Sequence, residues 1–232
     1  QRQMCIRDRY LTMNQAVTAC VIIIGNEILS GRTQDINLNH ISSTLGGWGI
    51  QVHHARVIPD DEDIIVNTIN EVRKAYNYVF TTGGIGPTHD DITAVCVAKA
   101  FGVPIIQHPD IAERIRQRPA PDDIMASRLL MARVPEGAGL IDNPSGGPQG
   151  FAMANVYVMA GIPRVMQAML STLEGKLESG FVVRSQTVRA YTGESSIADA
   201  LARIQNDFPS VDIGSYPLSP GGALRHTPGH SG

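Results

Sequence analysis

The segment at 81–91, TTGGIGPTHDD, combines residues that suit phosphate binding with two acids, Asp90 and Asp91. Glycine adopts positive φ and lets backbone N–H groups approach a ligand closely. The helix that we expect at 90–102 would add unpaired N–H donors and the positive end of its dipole. Acids repel a phosphate unless a cation lies between them, so the segment is a candidate site for both phosphate and metal. The glycines concerned are Gly83, Gly84 and Gly86.

The same segment also fits a structural interpretation, a tight turn from a strand into a helix. Thr88 and Asp91 would then form a capping box, T-x-x-D, at the start of the helix. An acid at a helix start is ordinary, so the acids alone decide nothing. A Walker A loop is excluded because the sequence has no G-x4-G-K-[ST] run. The dinucleotide fingerprint fails at His89, where its third glycine would stand.

Two further polar loops follow expected strands. In open α/β sheets ligands bind outside the carboxyl ends of the strands, so these loops would meet the first one. The loop at 143–150, NPSGGPQG, is rich in glycine and proline, and it could equally be a plain turn. The histidines show no spacing typical of metal ligands. The polar residues of the loop at 25–35, GNEILSGRTQD, are Asn26, Glu27, Ser30, Thr33 and Asp35.

The hydrophobic pattern predicts an α/β fold, with a mostly parallel sheet covered by helices on both faces. The run at 18–25, TACVIIIG, is continuous and β-branched, which is typical of a strand buried on both faces. Strand and helix then alternate with short connections. Strands are expected at 18–25, 50–59, 78–82, 139–142, 151–154, 156–161, 181–191 and 211–216. Helices are expected from 35 to a C-capping glycine pair at 46 and 47, at 60–76 and 90–102, from 163 onward, and at 194–208.

The chain divides into four expected segments. Residues 1–12 have no apolar period and precede Met13, so we expect a non-native or disordered leader there. The main domain is expected at 13–178. A composition shift near Gly180 introduces a small α+β appendage at 180–217. The Gly/Pro-rich end, 218–232, is expected to be a disordered tail.

Composition narrows the classes of partner. The 232 residues carry a net charge of −3 with no basic block, which disfavours duplex nucleic acid and anionic membranes as partners. No run reaches the roughly 18–20 apolar residues of a membrane span. The three cysteines lack paired spacing, so we expect neither a zinc site nor a disulfide framework. A reducing, cytoplasmic location follows as the expectation.

Five motifs occur in order along the chain: GNEILSG, D-x-N at 35–37, RVIPDD at 56–61, TTGGIGPTHDDIT and NPSGGPQGF. Together they resemble the MoaB/Mog molybdopterin-binding domain family, and most closely the N-terminal part of the CinA-like (competence/damage-inducible protein A) proteins. GESSIADALARI at 193–204 and IGSYP at 213–217 resemble the KH-like second domain of those proteins. The resemblance does not extend to their nicotinamide-mononucleotide deamidase domain. Val165 stands where relatives often carry glutamate.

The resemblance implies an α/β sandwich that binds a pterin phosphate or an adenine nucleotide, with Mg²⁺ or a similar divalent cation. By position, Asp90 and Asp91 would hold the cation, and Asp35 would face the same pocket. The residues expected to bind ligand or phosphate are Gly83, Gly84, Gly86, Thr88, Asn26, Glu27, Ser30, Asn37, Ser145, Gly146 and Gly150.

Two classes of function stay open. One is metal-dependent cleavage of a phosphoanhydride in ADP-ribose or FAD, with Asp91 as the metal contact and Asp35 as a second acid or water-orienting group. The other is binding of molybdopterin, adenylyl transfer in molybdenum cofactor biosynthesis, or a binding module without turnover. The expected partner is a small pterin or nucleotide, and the family suggests a homo-oligomer. A nucleic-acid role is disfavoured because 180–217 contains no GxxG with basic neighbours.

Overall fold

The computed structural model describes residues 2–8 and 16–217. Its strands are β1 (Arg2–Asp8), β2 (Val17–Ile24), β3 (Ile50–Ile58), β4 (Tyr78–Thr82), β5 (Ile105–Gln107), β6 (Arg133–Pro135), β7 (Gly139–Ile141), β8 (Gly150–Met153), β9 (Val156–Met159), β10 (Ser185–Ala190) and β11 (Val211–Pro217). Its helices are α1 (Asn26–Leu29), α2 (Asn37–Gly47), α3 (Glu62–Ala75), α4 (Thr93–Phe101), α5 (Pro109–Arg116), α6 (Asp122–Leu129), α7 (Pro163–Ser171) and α8 (Glu194–Asp207). Residues 16–182 form one compact unit, and the terminal segments on either side form another.

The larger unit is built on a six-stranded sheet in the order β3-β2-β4-β9-β8-β7. The first four strands are parallel, and β7 and β8 complete the sheet as antiparallel neighbours. This confirms the predicted α/β class with a mostly parallel sheet. The carboxyl ends of β2, β4 and β9 meet at one edge, because parallel neighbours end on the same side. The predicted loops at 25–35 and 83–91 therefore begin at that edge.

Strand β2 shows why both faces of the sheet are covered. Its alternate residues Cys20, Ile22 and Ile24 pack into the core that contains α3 and α4. The intervening Ala19, Val21 and Ile23 pack into the second core, with Ile41 of α2 and Leu170 of α7. Because successive side chains of a strand point to opposite faces, a strand that is apolar throughout must be covered on both faces, and helices provide that cover here.

The helix termini follow the sequence at α3, and the predicted end of α2 needs a correction. Asp61 caps α3, since its side chain accepts from Ile64 N. Gly46 and Gly47 were predicted as C-caps of α2, which is wrong: Gly47 is the last helical residue, and the left-handed residue is Gly49, with φ +78. The pair stays helical because Trp48, the C-cap residue that follows it, packs against the second core. Short β5 and β6 pair with each other outside the main sheet and were not predicted.

The smaller unit is a three-stranded antiparallel sheet in the order β10-β1-β11, together with helix α8. Here the structure differs from the expected leader, because residues 2–8 form the central strand. The tail at 218–232, and positions 1 and 9–12 of the leader, lie outside the described residues. Within the described part of the chain, no helix combines the length and the apolar character needed to cross a membrane.

Candidate functional site

Glycine backbone lines the carboxyl edge of the sheet. Gly83 follows β4 with φ +109, and a methyl group on it would stand 2.1 Å from Ile24 O at the end of β2. Gly83 N donates to Met159 O at the end of β9, at 3.2 Å. Gly161, just beyond β9, leaves 3.3 Å between its own methyl position and Gly83 Cα. The strand ends are therefore packed backbone to backbone, which only glycine at position 83 permits.

The loop after β4 is fastened to the first residue of α4. Thr93 is fully buried, its hydroxyl donates to Gly83 O at 3.0 Å, and its N–H donates to Gly84 O at 3.0 Å. Gly84 has φ +68, and a methyl group on it would stand 2.2 Å from Thr93 Oγ1. The predicted helix start at 90 is therefore three residues early, because the loop itself occupies the N–H of Thr93.

Asp91 organises the second half of this loop. Its Oδ2 accepts hydrogen bonds from Thr88 N, at 2.8 Å, and from the Thr88 hydroxyl. A methyl group on Gly86 would stand 2.6 Å from the same Oδ2. One half of the predicted capping box is thus present, since the acid accepts the threonine N–H. The box closes the loop, however, and α4 begins beyond it, with Ile92 as its N-cap residue.

Asp90 is exposed beside this loop. The neighbouring Thr88 hydroxyl, followed by the backbone N–H of Asp90 itself, holds the pKa of this carboxyl below its ordinary value. The Thr88 hydroxyl has one proton, so it can donate a hydrogen bond to Asp90 only when it does not donate to Asp91. Among residues 16–216 no group of three or more acids, histidines or cysteines could hold a metal ion by itself. A cation here would need ligand oxygens as well, which suits Mg²⁺ bound by one or two carboxylates plus phosphates.

Asp35 and Asn37 lie at the start of α2. Both oxygens of Asp35 accept from the backbone, Oδ1 from Asn37 N at 3.3 Å and Oδ2 from Leu38 N at 3.0 Å. Asn37 is only 5% exposed, and its amide N–H₂ donates to Thr82 Oγ1 at 2.9 Å and to Gly161 O at 2.8 Å. The Thr82 hydroxyl in turn donates to Ala160 O. Asn37 therefore joins α2 to the ends of β4 and β9.

The predicted loop residues Asn26 and Glu27 lie in a short helix, α1, and Ser30 is its C-cap residue. Asn26 N donates to Asp60 Oδ2 at 2.9 Å, so the helix is anchored to the segment after β3. The Glu27 carboxylate lies against Gly25, where a methyl group would stand 2.6 Å away. The Ser30 hydroxyl donates to Glu27 O at 3.3 Å and accepts from Arg32 Nε at 3.2 Å.

The loop at 143–150 is closed by its own first residue. Asn143 is buried; its Oδ1 accepts from both the backbone and the hydroxyl of Ser145, and its Nδ2 donates to Pro148 O. Gly146 is exposed with φ +77. Gly150 lies inside β8, where a methyl group would stand 2.4 Å from Val158 O. Its need for glycine therefore comes from sheet packing.

A cavity of about 140 Å³ lies between the loops at 83–91 and 143–150. Gly86, Thr88 and Asp91 line it on one side, and Gln149 and Phe151 on the other. The Gln149 side-chain oxygen is buried without a hydrogen-bond partner among the described residues. The structure therefore brings together the predicted Gly86, Thr88 and Asp91. The other predicted site residues do not line this cavity: Gly83, Gly84, Asp90, Asp35, Asn26, Glu27, Ser30, Asn37, Ser145, Gly146 and Gly150. The residues that the sequence analysis missed are Thr82, Asp60, Thr93, Arg133 and Gln149.

The family model described as "Probable molybdopterin binding domain" matches residues 20–178, which is more than half of the chain. The chain belongs to this family. A protein from Archaeoglobus fulgidus is 32% identical over 197 residues, covering 85% of this chain and 84% of the relative. The match confirms the family predicted from the five motifs.

CinA-like proteins are also among the relatives. The CinA-like protein of Gemmatimonas aurantiaca is 29% identical over 222 residues, covering 89% of this chain and 52% of the relative. The chain therefore spans about half the length of this CinA-like relative. The crystal structure of the protein CinA from Thermoplasma acidophilum superposes with a TM-score of 0.64 at 34% identity, covering 69% of this chain and 98% of that structure.

The smaller unit has its own similarity. Residues 182–224 match the family model described as "FAD synthase, middle domain". The strand, helix and strand that the structure describes there are β10, α8 and β11. The appendage predicted at 180–217 covers the same part of the chain.

Proposed function

We propose that this chain binds the phosphate-bearing part of a molybdopterin or adenine-nucleotide ligand at the loop 83–91. There, with a divalent cation, it cleaves a phosphoanhydride of the ADP-ribose or FAD type. One observation carries the proposal: glycine backbone that has no room for side chains lies directly beside two acids, at the carboxyl edge of a parallel sheet. The glycine backbone suits a phosphate, and the two acids suit a cation.

Gly84 and Gly86 would supply the phosphate contacts, and Gly83, whose buried N–H already donates to Met159 O, would let the loop leave the sheet at this point. Gly83 and Gly84 have positive φ, and at all three glycines a Cβ would collide with protein atoms, so the loop carries no side chain at these positions. Backbone N–H groups in such a loop bind anions without a charged side chain. Thr93 fixes the loop by using both its hydroxyl and its N–H on glycine carbonyls, so the loop is ordered before a ligand arrives.

Asp90 and Asp91 would hold the cation. Asp90 is exposed, and hydrogen bonding lowers the pKa of its carboxyl. Asp91 is held in place through Oδ2 by Thr88 and has Oδ1 left to bind. When bound, a divalent cation would neutralise charge that develops on the phosphate oxygens. Gln149, whose buried side-chain oxygen has no partner among the described residues, lines the cavity that Asp91 also lines and would accept from a ligand donor.

Asp35 would act on the site through Asn37. Both of its carboxylate oxygens are occupied by backbone N–H groups, which favours a role in fixing the turn that places Asn37 on the ends of β4 and β9. The role of second acid is therefore better supported for Asp90 than for Asp35.

The test is hydrolysis of ADP-ribose, FAD and ATP, each with Mg²⁺, Mn²⁺ or Co²⁺ and each with a chelator, followed by chromatography of the products. We expect metal-dependent cleavage of at least one substrate and a loss of about 100-fold in Asp91→Asn. Asp199→Asn, an exposed acid on α8, is the matched control and should keep full activity. Undiminished hydrolysis in Asp91→Asn would contradict the role of Asp91 as a metal ligand.

A binding module without turnover, or an adenylyl transferase, is the second candidate. It is favoured by the engagement of Asp91 Oδ2 with Thr88 and by the lack, within residues 16–216, of a cluster that could hold a metal by itself. A thermal-shift screen separates it from the first. Stabilisation by nucleotides or a pterin that needs no metal and yields no product would support the binding module.

A further inference from the structure

A second cavity, of about 360 Å³, lies on the other side of the loop 143–150. It is lined by Gly146, Gly147 and Pro148 of that loop and by side chains of α5, α6 and the turns that follow them. The two cavities share Met131 and are lined by the consecutive residues Pro148 and Gln149. The volume lies within the range of small-molecule sites, about 300–1,000 Å³.

Three arginines, Arg114, Arg118 and Arg128, line this cavity. Arg114 forms an ion pair with Asp142 at 3.1 Å and also donates to Asn143 O. Arg118 and Arg128 have no acidic partner among the described residues, and Arg128 donates to the backbone oxygen of Arg118. No acid belongs to the lining. The cavity therefore concentrates three guanidinium groups against one carboxylate, Asp142, whose pKa Arg114 holds below its ordinary value.

The loop presents backbone to these arginines. Gly146 and Gly147 have φ of +77 and +140, so both need glycine. A methyl group on Gly146 would stand 3.1 Å from Arg118 Nη2, which places that guanidinium directly against the glycine. Guanidinium forks beside bare backbone match the geometry and charge of phosphate oxygens.

We propose that the arginine cavity is an anion subsite that takes a phosphate or diphosphate group, distinct from the phosphate loop at 83–86. Because the arginine cavity lies beside Gln149, it would bind a second phosphate group of the same ligand whose first phosphate binds at the loop 83–91. The assignment to a second phosphate of that ligand rests on the proposed function, whereas binding of an anion to the arginines does not.

Isothermal titration of the whole chain with inorganic pyrophosphate, in the presence of EDTA, tests the subsite without metal or turnover. We expect saturable binding that weakens about tenfold or more in Arg118→Gln and in Arg128→Gln. Arg116→Gln is the matched control, because Arg116 ends α5 two residues before Arg118, is exposed and does not line the cavity. Circular dichroism melting of each variant shows that the fold is kept.

The outcomes separate the subsite from the proposed function. Loss of pyrophosphate binding in the two arginine variants, with binding kept in Asp91→Asn and Arg116→Gln, supports the subsite even if no nucleotide is hydrolysed. No saturable binding to the wild-type chain, or equal weakening in Arg116→Gln, overturns it. Weakening in Asp91→Asn alone would assign the pyrophosphate to the loop at 83–91 and overturn the subsite as well.

Discussion

A single oxygen of Asp91, Oδ2, accepts hydrogen bonds from both the backbone N–H and the hydroxyl of Thr88. The same oxygen lies 2.6 Å from the position that a methyl group on Gly86 would take. The loop is thus folded around the acid, and glycine at position 86 makes room for it. This arrangement fixes an acid next to a glycine-lined surface, which is the relationship on which the proposed site depends.

Gly86→Ala should displace the Asp91 carboxylate, because Gly86 does not have positive φ and steric overlap is the main cost. We expect nucleotide affinity in the presence of Mg²⁺ to fall about tenfold or more, with a small change in stability. Gly139→Ala is the control, since Gly139 also lacks positive φ and a methyl group there meets nothing within 4 Å. Equal affinities for the two variants would show that the acid is not held by this packing.

Gly84→Ala should destabilise the junction between the loop and α4. Gly84 and Gly102 have nearly the same φ, +68 and +67, but only at Gly84 would a methyl group collide, with Thr93 Oγ1. Gly102→Ala should cost about 1–2 kcal/mol for the left-handed backbone alone. Gly84→Ala should cost about 1–3 kcal/mol more, for the overlap. Urea unfolding of both variants measures the difference, and equal costs would refute the packing of Thr93 described above.

Asn37→Ala should leave the buried acceptor Thr82 Oγ1 and the partly buried Gly161 O without the donor that Asn37 supplies. We expect a loss of about 1–3 kcal/mol in the free energy of unfolding. Asn39→Ala, an exposed position on the same helix, should change stability by less than about 0.5 kcal/mol. Similar losses in the two variants would mean that Asn37 does not join α2 to the sheet.

Cys20 and Cys96 should resist thiol reagents in the native protein. Both are fully buried, and desolvation raises their pKa to about 11 and about 12. In a Cys5→Ser background, labelling at about pH 8 should therefore require unfolding. Because the raised pKa values favour the protonated thiol in the folded state, stability should fall as pH rises above the unfolded value of about 8.5. Fast labelling of the native chain would contradict the burial of both residues.

The fold was predictable to the extent that apolar side chains define it. The run at 18–25 is typical of a strand buried on both faces, and β2 is such a strand. The helix period placed α3 and α8 within two residues of their observed ends. Short β5 and β6 were missed, since three-residue strands are too short to show a period.

The glycines of the site could be predicted from the sequence, whereas the side chains that hold the loop in place by hydrogen bonds could not. Gly83, Gly84 and Gly86 could be singled out because their spacing after a strand is unusual. Thr82, Thr93 and Gln149 could not, because their importance comes from partners far away in sequence or from an unpaired atom in a cavity. The three arginines of the second cavity are scattered over α5, α6 and a turn, so no motif indicates them.

The central claim is that Asp90 and Asp91 hold a cation that recruits a phosphate to the glycine loop. Titration calorimetry of ADP-ribose, with Mg²⁺ and with EDTA, tests it most directly in the wild-type chain, Asp90→Asn and Asp199→Asn. We expect Mg²⁺ to strengthen binding about tenfold or more in the wild type and in Asp199→Asn, and to have little effect in Asp90→Asn. The same gain from Mg²⁺ in Asp90→Asn, or no gain in the wild type, would contradict the claim.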